Sequence, residues 1–131
     1  MQDEAIYYVD YIYEGANIQP ADILTIAEMG DLWGKDIDEP YLCIRNINIS
    51  SDMVTIYQKK DNTMKITLPN GISLMKFKAT DEECNMLQTN NKGYYTLDII
   101  GRANKNEWMG HITAQIFIED YEIIDYEEGW F

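Results

Sequence analysis

Between residues 53 and 83 the chain reads Met53-Val-Thr-Ile-Tyr-Gln58, Lys59-Lys-Asp-Asn62, Met64-Lys-Ile-Thr-Leu68, Pro69-Asn-Gly71, Ile72-Ser-Leu-Met-Lys-Phe-Lys78 and Thr80-Asp-Glu-Glu83. Val54 and Ile56 alternate with Thr55 and Tyr57, and Met64, Ile66 and Leu68 alternate with Lys65 and Thr67. A period of two is that of a strand with one face buried. The lysine-rich tetrapeptide is an exposed turn. Pro69-Asn-Gly71 is a firm stop, because proline presets φ and Asn and Gly tolerate the left-handed turn positions. Thr80 followed three residues later by Glu83 is a capping box, in which each side chain satisfies the other's backbone N–H. It predicts a helix to about residue 88.

On the upstream side, Tyr41-Leu-Cys-Ile-Arg-Asn-Ile-Asn48 is a strand and Ser50-Ser-Asp52 a turn. On the downstream side, residues 94–102 and 112–124 are strands joined by the polar stretch Asn104-Lys-Asn-Glu-Trp-Met-Gly110. This order predicts a mainly β fold: a five-stranded OB-type Greek-key barrel over residues 38–124, with one helix between its third and fourth strands. The count takes residues 41–48 as the first strand and residues 53–68 as an arched hairpin. Ahead of the barrel, Ile6-Tyr-Tyr-Val-Asp-Tyr-Ile-Tyr13 is a further strand. Pro20 then opens an amphipathic helix carrying Ile23, Leu24, Ile26, Ala27 and Met29, with Gly30 near its stop. One strand and one helix cannot enclose a core, so residues 1–37 are expected as an appendage. Residues 125–131 form an acidic, aromatic tail.

A chain of 131 residues is the size of one domain, and 46% hydrophobic residues with ten Tyr and three Trp set it apart from disordered chains. No apolar run reaches the roughly 18 residues of a membrane span, and Met1-Gln-Asp-Glu4 has the wrong sign for a signal peptide. A cytoplasmic location without membrane contact is expected. Cys43 and Cys84 sit in apolar segments without metal-ligand spacing, which predicts buried thiols. The net charge of −13 is unevenly spread. Residues 1–40 carry ten acids against the single base Lys35, a net −9, and residues 119–131 carry six acids and no base. Between them nine bases face seven acids, so the middle alone is mildly basic at +2.

Catalytic chemistry finds no constellation. The lone His111 follows Gly110 beside the polar stretch, with no Ser or Cys nucleophile that spacing can bring to it. Glu82 and Glu83 belong to the helix cap and Glu127 and Glu128 to the tail. No glycine-rich phosphate loop occurs. Binding fares better. OB-type barrels hold single strands with Lys and Arg along the phosphates and aromatic rings against the bases. The face opposite the core would present Tyr57, Lys59, Lys65, Lys76 and Lys78 on the middle strands and Arg102 on the fourth. That stripe fits a nucleic-acid track or a merely solvated face. Trp108 lies in the turn joining the last strands, where it could meet a ligand or pack over the barrel mouth.

Asn106-Glu-Trp-Met-Gly110, followed by Gln115-Ile-Phe-Ile-Glu-Asp120, resembles the C-terminal barrel of the RecJ family of single-strand-specific DNA exonucleases. That family shows an Asn-x-Trp-x-Gly turn and then a strand running from Gln to Ile-x-Asp. Leu32-Trp-Gly-Lys-Asp-Ile-Asp-Glu-Pro40 is similar to its junction into the barrel, and Thr63-Met-Lys-Ile-Thr-Leu68 to its second-strand segment. The resemblance covers residues 6–124 and implies that the appendage is the tail of a preceding domain. It implies a parent enzyme that degrades single-stranded DNA from the 5′ end with Mn²⁺ or Mg²⁺, the barrel guiding the strand to the catalytic domain. The Asp-His-His motif of that catalytic core has no counterpart in these residues, so no catalytic residue is carried over. Two other functions stay open. Tyr126-Glu-Glu-Gly-Trp-Phe131 could dock a protein partner, and the acidity suits a DNA mimic that blocks a nucleic-acid enzyme.

Overall fold

The computed structural model describes residues 9–33, 41–58, 61–87 and 93–127. Elements follow the order β1 (Val9–Glu14), α1 (Pro20–Trp33), β2 (Tyr41–Ser50), a 3₁₀ turn (Ser51–Met53), β3 (Val54–Gln58), β4 (Asn62–Thr67), β5 (Ser73–Ala79), α2 (Asp81–Leu87), β6 (Tyr94–Trp108) and β7 (His111–Glu127). The strands form one sheet in the order β1-β2-β6-β7-β5-β4-β3. β1 runs parallel to β2, and β5 parallel to β7; the remaining pairs are antiparallel. β2 and β3 stand at opposite ends of the six-strand run that begins at β2, yet only Ser51–Met53 separate them in the chain. The run must therefore curl back on itself, an arrangement compatible with an OB-type fold.

Seven strands stand where the sequence predicts five in a barrel and one in an appendage. The difference is residues 53–68, counted in the sequence as one arched hairpin and found as two paired strands, β3 and β4; the turn at Ser51–Met53 falls where the sequence predicts it. β1, predicted in the appendage, lies at the edge of the same sheet, and Ile18, Ile23 and Ile26 of the helical segment lie in the one buried cluster. Burying these side chains removes apolar surface from water at about 25 cal/mol per Å².

That cluster fills the concave side. Leu42 and Ile44 of β2, Ile66 of β4, Leu74 of β5, Ile99 of β6 and Ile116 of β7 are all fully buried. The two helices meet it from different ends. The side-chain amide of Asn70, in the β4–β5 turn, donates to the carbonyl of Ile18 just ahead of α1 (2.9 Å). α2 follows the far end of β5 and contributes Cys84 and Leu87. Its capping box is formed as the sequence predicts, with the Thr80 N–H donating to Glu83 Oε2 (2.7 Å) and the Glu83 N–H to Thr80 Oγ1 (3.1 Å).

The polar stretch before Gly110, expected as a connecting loop, is strand. Lys105, Asn106, Glu107 and Trp108 pair with Ala114, Thr113, Ile112 and His111 across a two-residue turn, Met109-Gly110. Both turn residues have positive φ, 50° and 82°, the geometry that matches the right-handed twist of a hairpin. Midway along the hairpin, a Cβ on Gly101 would overlap the backbone carbonyl oxygen of Phe117. β6 and β7 approach this closely where their register shifts between Ile100 and Gly101. Gly101→Ala should therefore lower stability by about 1–3 kcal/mol, the usual range for overpacking. A urea midpoint shifted downward with unchanged slope is the expected reading.

Candidate nucleic-acid interface

Strand register decides which of the predicted residues share a face. Thr55, Lys65, Met75, Phe117 and Arg102 are consecutive partners across β3, β4, β5, β7 and β6. Their chain neighbours Ile66, Leu74 and Ile116 are fully buried, so this row lies on the convex side. Tyr41 of β2 extends it: Arg102 Nη2 donates to the Tyr41 hydroxyl at 3.2 Å, and the guanidinium lies 5.2 Å from that ring's centre. A second row holds Tyr57, Thr63 and Phe77. The two rows meet where Phe77 packs edge-on against Phe117, with centroids 5.3 Å apart at 70°.

Tyr57 and Phe77 are exposed, at 44% and 53%. For Phe77 this leaves half of a large apolar ring in water, a cost that a stacking partner would remove. The convex face thus offers Tyr41, Tyr57, Phe77 and Phe117 with Lys65 and Arg102. Of these four rings the sequence predicts Tyr57, with Trp108 as its other candidate aromatic contact. Phe77 and Phe117 sit inside strands that read as core, and strand pairing is what brings them together.

Lys76 departs from the predicted stripe. It pairs with Met64, itself buried, and so points to the concave side. There its ammonium lies 3.5 Å from Glu83 Oε1 and 6.0 Å from the centre of the Tyr121 ring. The Tyr121 hydroxyl donates to the same carboxylate oxygen at 2.8 Å. Burial works to raise the Glu83 carboxyl, yet the Thr80 N–H, the Tyr121 hydroxyl and the Lys76 ammonium together hold it below the usual carboxylate range. Burial, then the Glu83 carboxylate, keep the Tyr121 hydroxyl protonated. The cluster pins α2 to β5 and β7.

Lys78 is exposed and has φ of 56°. It is the extra residue of a bulge, since Phe77 pairs with Thr63 and Ala79 with Asn62. Bulges redirect a side chain out of strict alternation. Lys59 lies outside the described residues. Trp108 stands at the tip of the β6–β7 hairpin and is 70% exposed, not packed over a mouth, with Met109 beside it at 82%. It shares strand parity with Arg102 six residues earlier, about 20 Å along β6. The exposed His111 is its cross-strand partner.

Acid is concentrated in the other half of β6 and β7, although Glu107 stands near the hairpin tip and Glu119 beside Arg102. Asp98 and Glu122 are direct cross-strand partners, and Asp125 pairs with Thr96. A half-open cleft of about 450 Å³ on that side is lined by Asn48, Met53, Tyr94 and Asp125. Its charged lining residue is an acid, which repels phosphate. Cys84 is buried and Cys43 half-buried, both as free thiols. Burial, then the Asp98 carboxylate, pushes the Cys43 thiol up, away from the thiolate. Among the described residues no three His, Cys, Asp or Glu side chains converge as a metal centre requires, so no metal chemistry is assigned to them. Nor is any described helix long and apolar enough to cross a membrane. The tail at residues 128–131 lies outside the described residues.

Over residues 9–120 the chain matches the RecJ OB domain, and it belongs to that family. Among curated proteins it is similar to YorK, named for candidate single-strand DNA-specific exonuclease activity, from the SPbeta prophage of Bacillus subtilis (strain 168). It is equally similar to the yorK protein of Bacillus phage SPbeta, which bears the same exonuclease description. In each case identity is 28% over 122 residues, covering 93% of this chain and 21% of the relative. The chain thus spans about a fifth of the length of these relatives.

Glu83 gives a pH test of the α2 cluster. Its folded pKa lies below its ordinary value, so its stabilisation is present above the usual carboxylate range and is lost as pH falls through the folded pKa. Glu83→Gln should lower the melting temperature at neutral pH and shrink the acid-side loss of stability. Melting curves between neutral pH and about pH 3 check both.

Proposed function

We propose that this chain is a single-stranded DNA-binding accessory domain of a RecJ-like, 5′-to-3′ single-strand-specific DNA exonuclease, and that it guides the strand toward a catalytic core outside these residues. The observation that carries the reading is the convex row of Tyr41, Arg102, Phe117, Met75 and Lys65, flanked by the exposed rings of Phe77 and Tyr57. Bases stack on aromatic rings at about 1–3 kcal/mol each without regard to sequence, while Lys and Arg follow the phosphates. Membership of the RecJ OB domain family and the exonuclease names of the two relatives support the same role. Mn²⁺ or Mg²⁺ belongs in this proposal to the catalytic core, the chain's expected protein partner.

The mild positive charge of the central segment, set between acidic ends, favours weak and salt-sensitive binding. Weak contact suits a guide, because a strand that is being shortened must move across it. The sugar-phosphate track would run over the Lys65 and Arg102 half of the face and away from Asp98, Glu122 and Asp125.

Fluorescence anisotropy with a labelled single strand of about 16 nucleotides, near the upper site size of one such barrel, tests the reading. Phe77→Ala should weaken binding about fivefold to a hundredfold, the loss of one stacked base. Lys65→Glu should weaken it and flatten its salt dependence. Lys76→Gln should lower the melting temperature and leave binding at matched folded fraction unchanged. Affinity indifferent to Phe77 and Lys65 would contradict the face.

A further inference from the structure

Arg102 is the cation at the centre of the proposed track, and its guanidinium is held against a carboxylate of its own chain. Arg102 Nη2 lies 3.0 Å from Glu119 Oε1, with 41% and 37% of the two side chains exposed. The pair comes from an irregularity in the hairpin. Gly101 pairs with Ile118 and Ile100 with Asp120, so Glu119 is an extra residue on β7 with no partner opposite it on β6. Counted from Phe117, the convex partner of Arg102, alternation puts Glu119 on the same face two residues further along β7. From there its carboxylate reaches back to the cation that follows Gly101. The absence of a Cβ on Gly101 permits the close approach of β6 and β7 at this step.

We propose that Glu119 is a specificity-determining gate for the nucleic-acid face: its carboxylate occupies the phosphate position on Arg102, and a strand binds there by displacing it. The inference rests on the face assigned under Proposed function. The chemistry is an exchange of anions. Carboxylate and phosphate both take the planar donor fork of arginine, so a phosphate reaching Arg102 competes with Glu119 for the same N–H groups. The exchange is accessible because both side chains are partly solvated, and the released carboxylate can be rehydrated. Tyr41 holds the guanidinium in place throughout, through its hydroxyl and its ring. Isolated anions and protein acids are thereby disfavoured, since a ligand must also gain contacts at Lys65 and the aromatic rings to offset the lost ion pair. A polyanion with bases satisfies that demand and a simple phosphate does not.

Anisotropy titration of the full 131-residue chain with the same labelled single strand tests this as a double-mutant cycle over Glu119→Gln and Arg102→Gln. Glu119→Gln should tighten binding about fivefold, the equivalent of about 1 kcal/mol for an exposed charge pair. In the Arg102→Gln background, Glu119→Gln should change affinity by less than about twofold. Glu119→Gln should also lift binding of inorganic phosphate, read as competition against the labelled strand, above that of the parent chain. Melting curves of all four proteins keep folding separate from binding. Binding that depends on Lys65 but is unchanged or weakened by Glu119→Gln overturns the gate and leaves the face standing. An equal gain in both backgrounds also overturns it, because Glu119 would then act as a general negative field. Binding indifferent to Lys65→Glu removes the face, and the gate with it.

Discussion

Ser51–Met53 impose the constraint on which the rest of the molecule depends. These three residues join β2 to β3, strands that stand at opposite ends of a six-strand run, so the run has to curl until its ends meet. Curling gives the sheet an inside that Leu42, Ile44, Ile66, Leu74, Ile99 and Ile116 fill, and an outside that they cannot reach. Strand pairing then places outward residues from five strands in a common row, an alignment that no single strand could achieve. The apolar inside is what makes the register firm, since a slip by one residue would turn buried Ile and Leu side chains to water. Function, in this account, is read from the residues that core packing leaves over.

Some departures from regular pairing lie next to the chemistry. The register shifts at five places in the sheet, and three of these bear on the charged and aromatic residues described above. Asn46, with φ of 57°, is held by donating its N–H to Asp98 Oδ1 at 2.9 Å, and it marks the acidic half of the sheet. Lys78 is turned outward beside Phe77, and Glu119 is turned onto Arg102. Each inserts a residue opposite no partner, and the inserted residue is charged or polar. The segregation of charge follows from the same strands. β6 carries Asp98 in one half and Arg102 and Lys105 in the other, with Glu107 near the hairpin tip, and β7 carries Glu122 and Asp125 opposite Asp98 and Thr96. A protein with a net charge of −13 can in this way still present a basic stripe.

The period-two segments, the turn signals and the Thr80–Glu83 capping box were legible in the sequence, and with them the mainly β class and the position of α2. What alternation could not show was where it fails. Lys65, Lys76 and Lys78 look equivalent when each strand is read against its own apolar residues. Pairing puts Lys76 opposite the buried Met64, and the bulge at Lys78 resets the parity, so the three lysines have three different surroundings. The polar Asn104–Trp108 stretch read as a loop because its residues lack β propensity. It is strand because the positive φ values at Met109 and Gly110 allow a tight hairpin. Phe77 and Phe117 were hidden for the opposite reason. They have the composition of core, and only the partner strands reveal that they face outward together.

The central claim is that one defined convex face holds the strand. Backbone amide NMR spectra of the uniformly labelled chain, titrated with a single-stranded oligonucleotide, test it most directly. The account predicts shifts concentrated at Tyr41, Tyr57, Lys65, Met75, Phe77, Arg102 and Phe117, with Asn48, Tyr94, Asp98 and Asp125 left in place. Shifts centred on the Asn48, Tyr94 and Asp125 cleft, or spread evenly over both sides of the sheet, would contradict it.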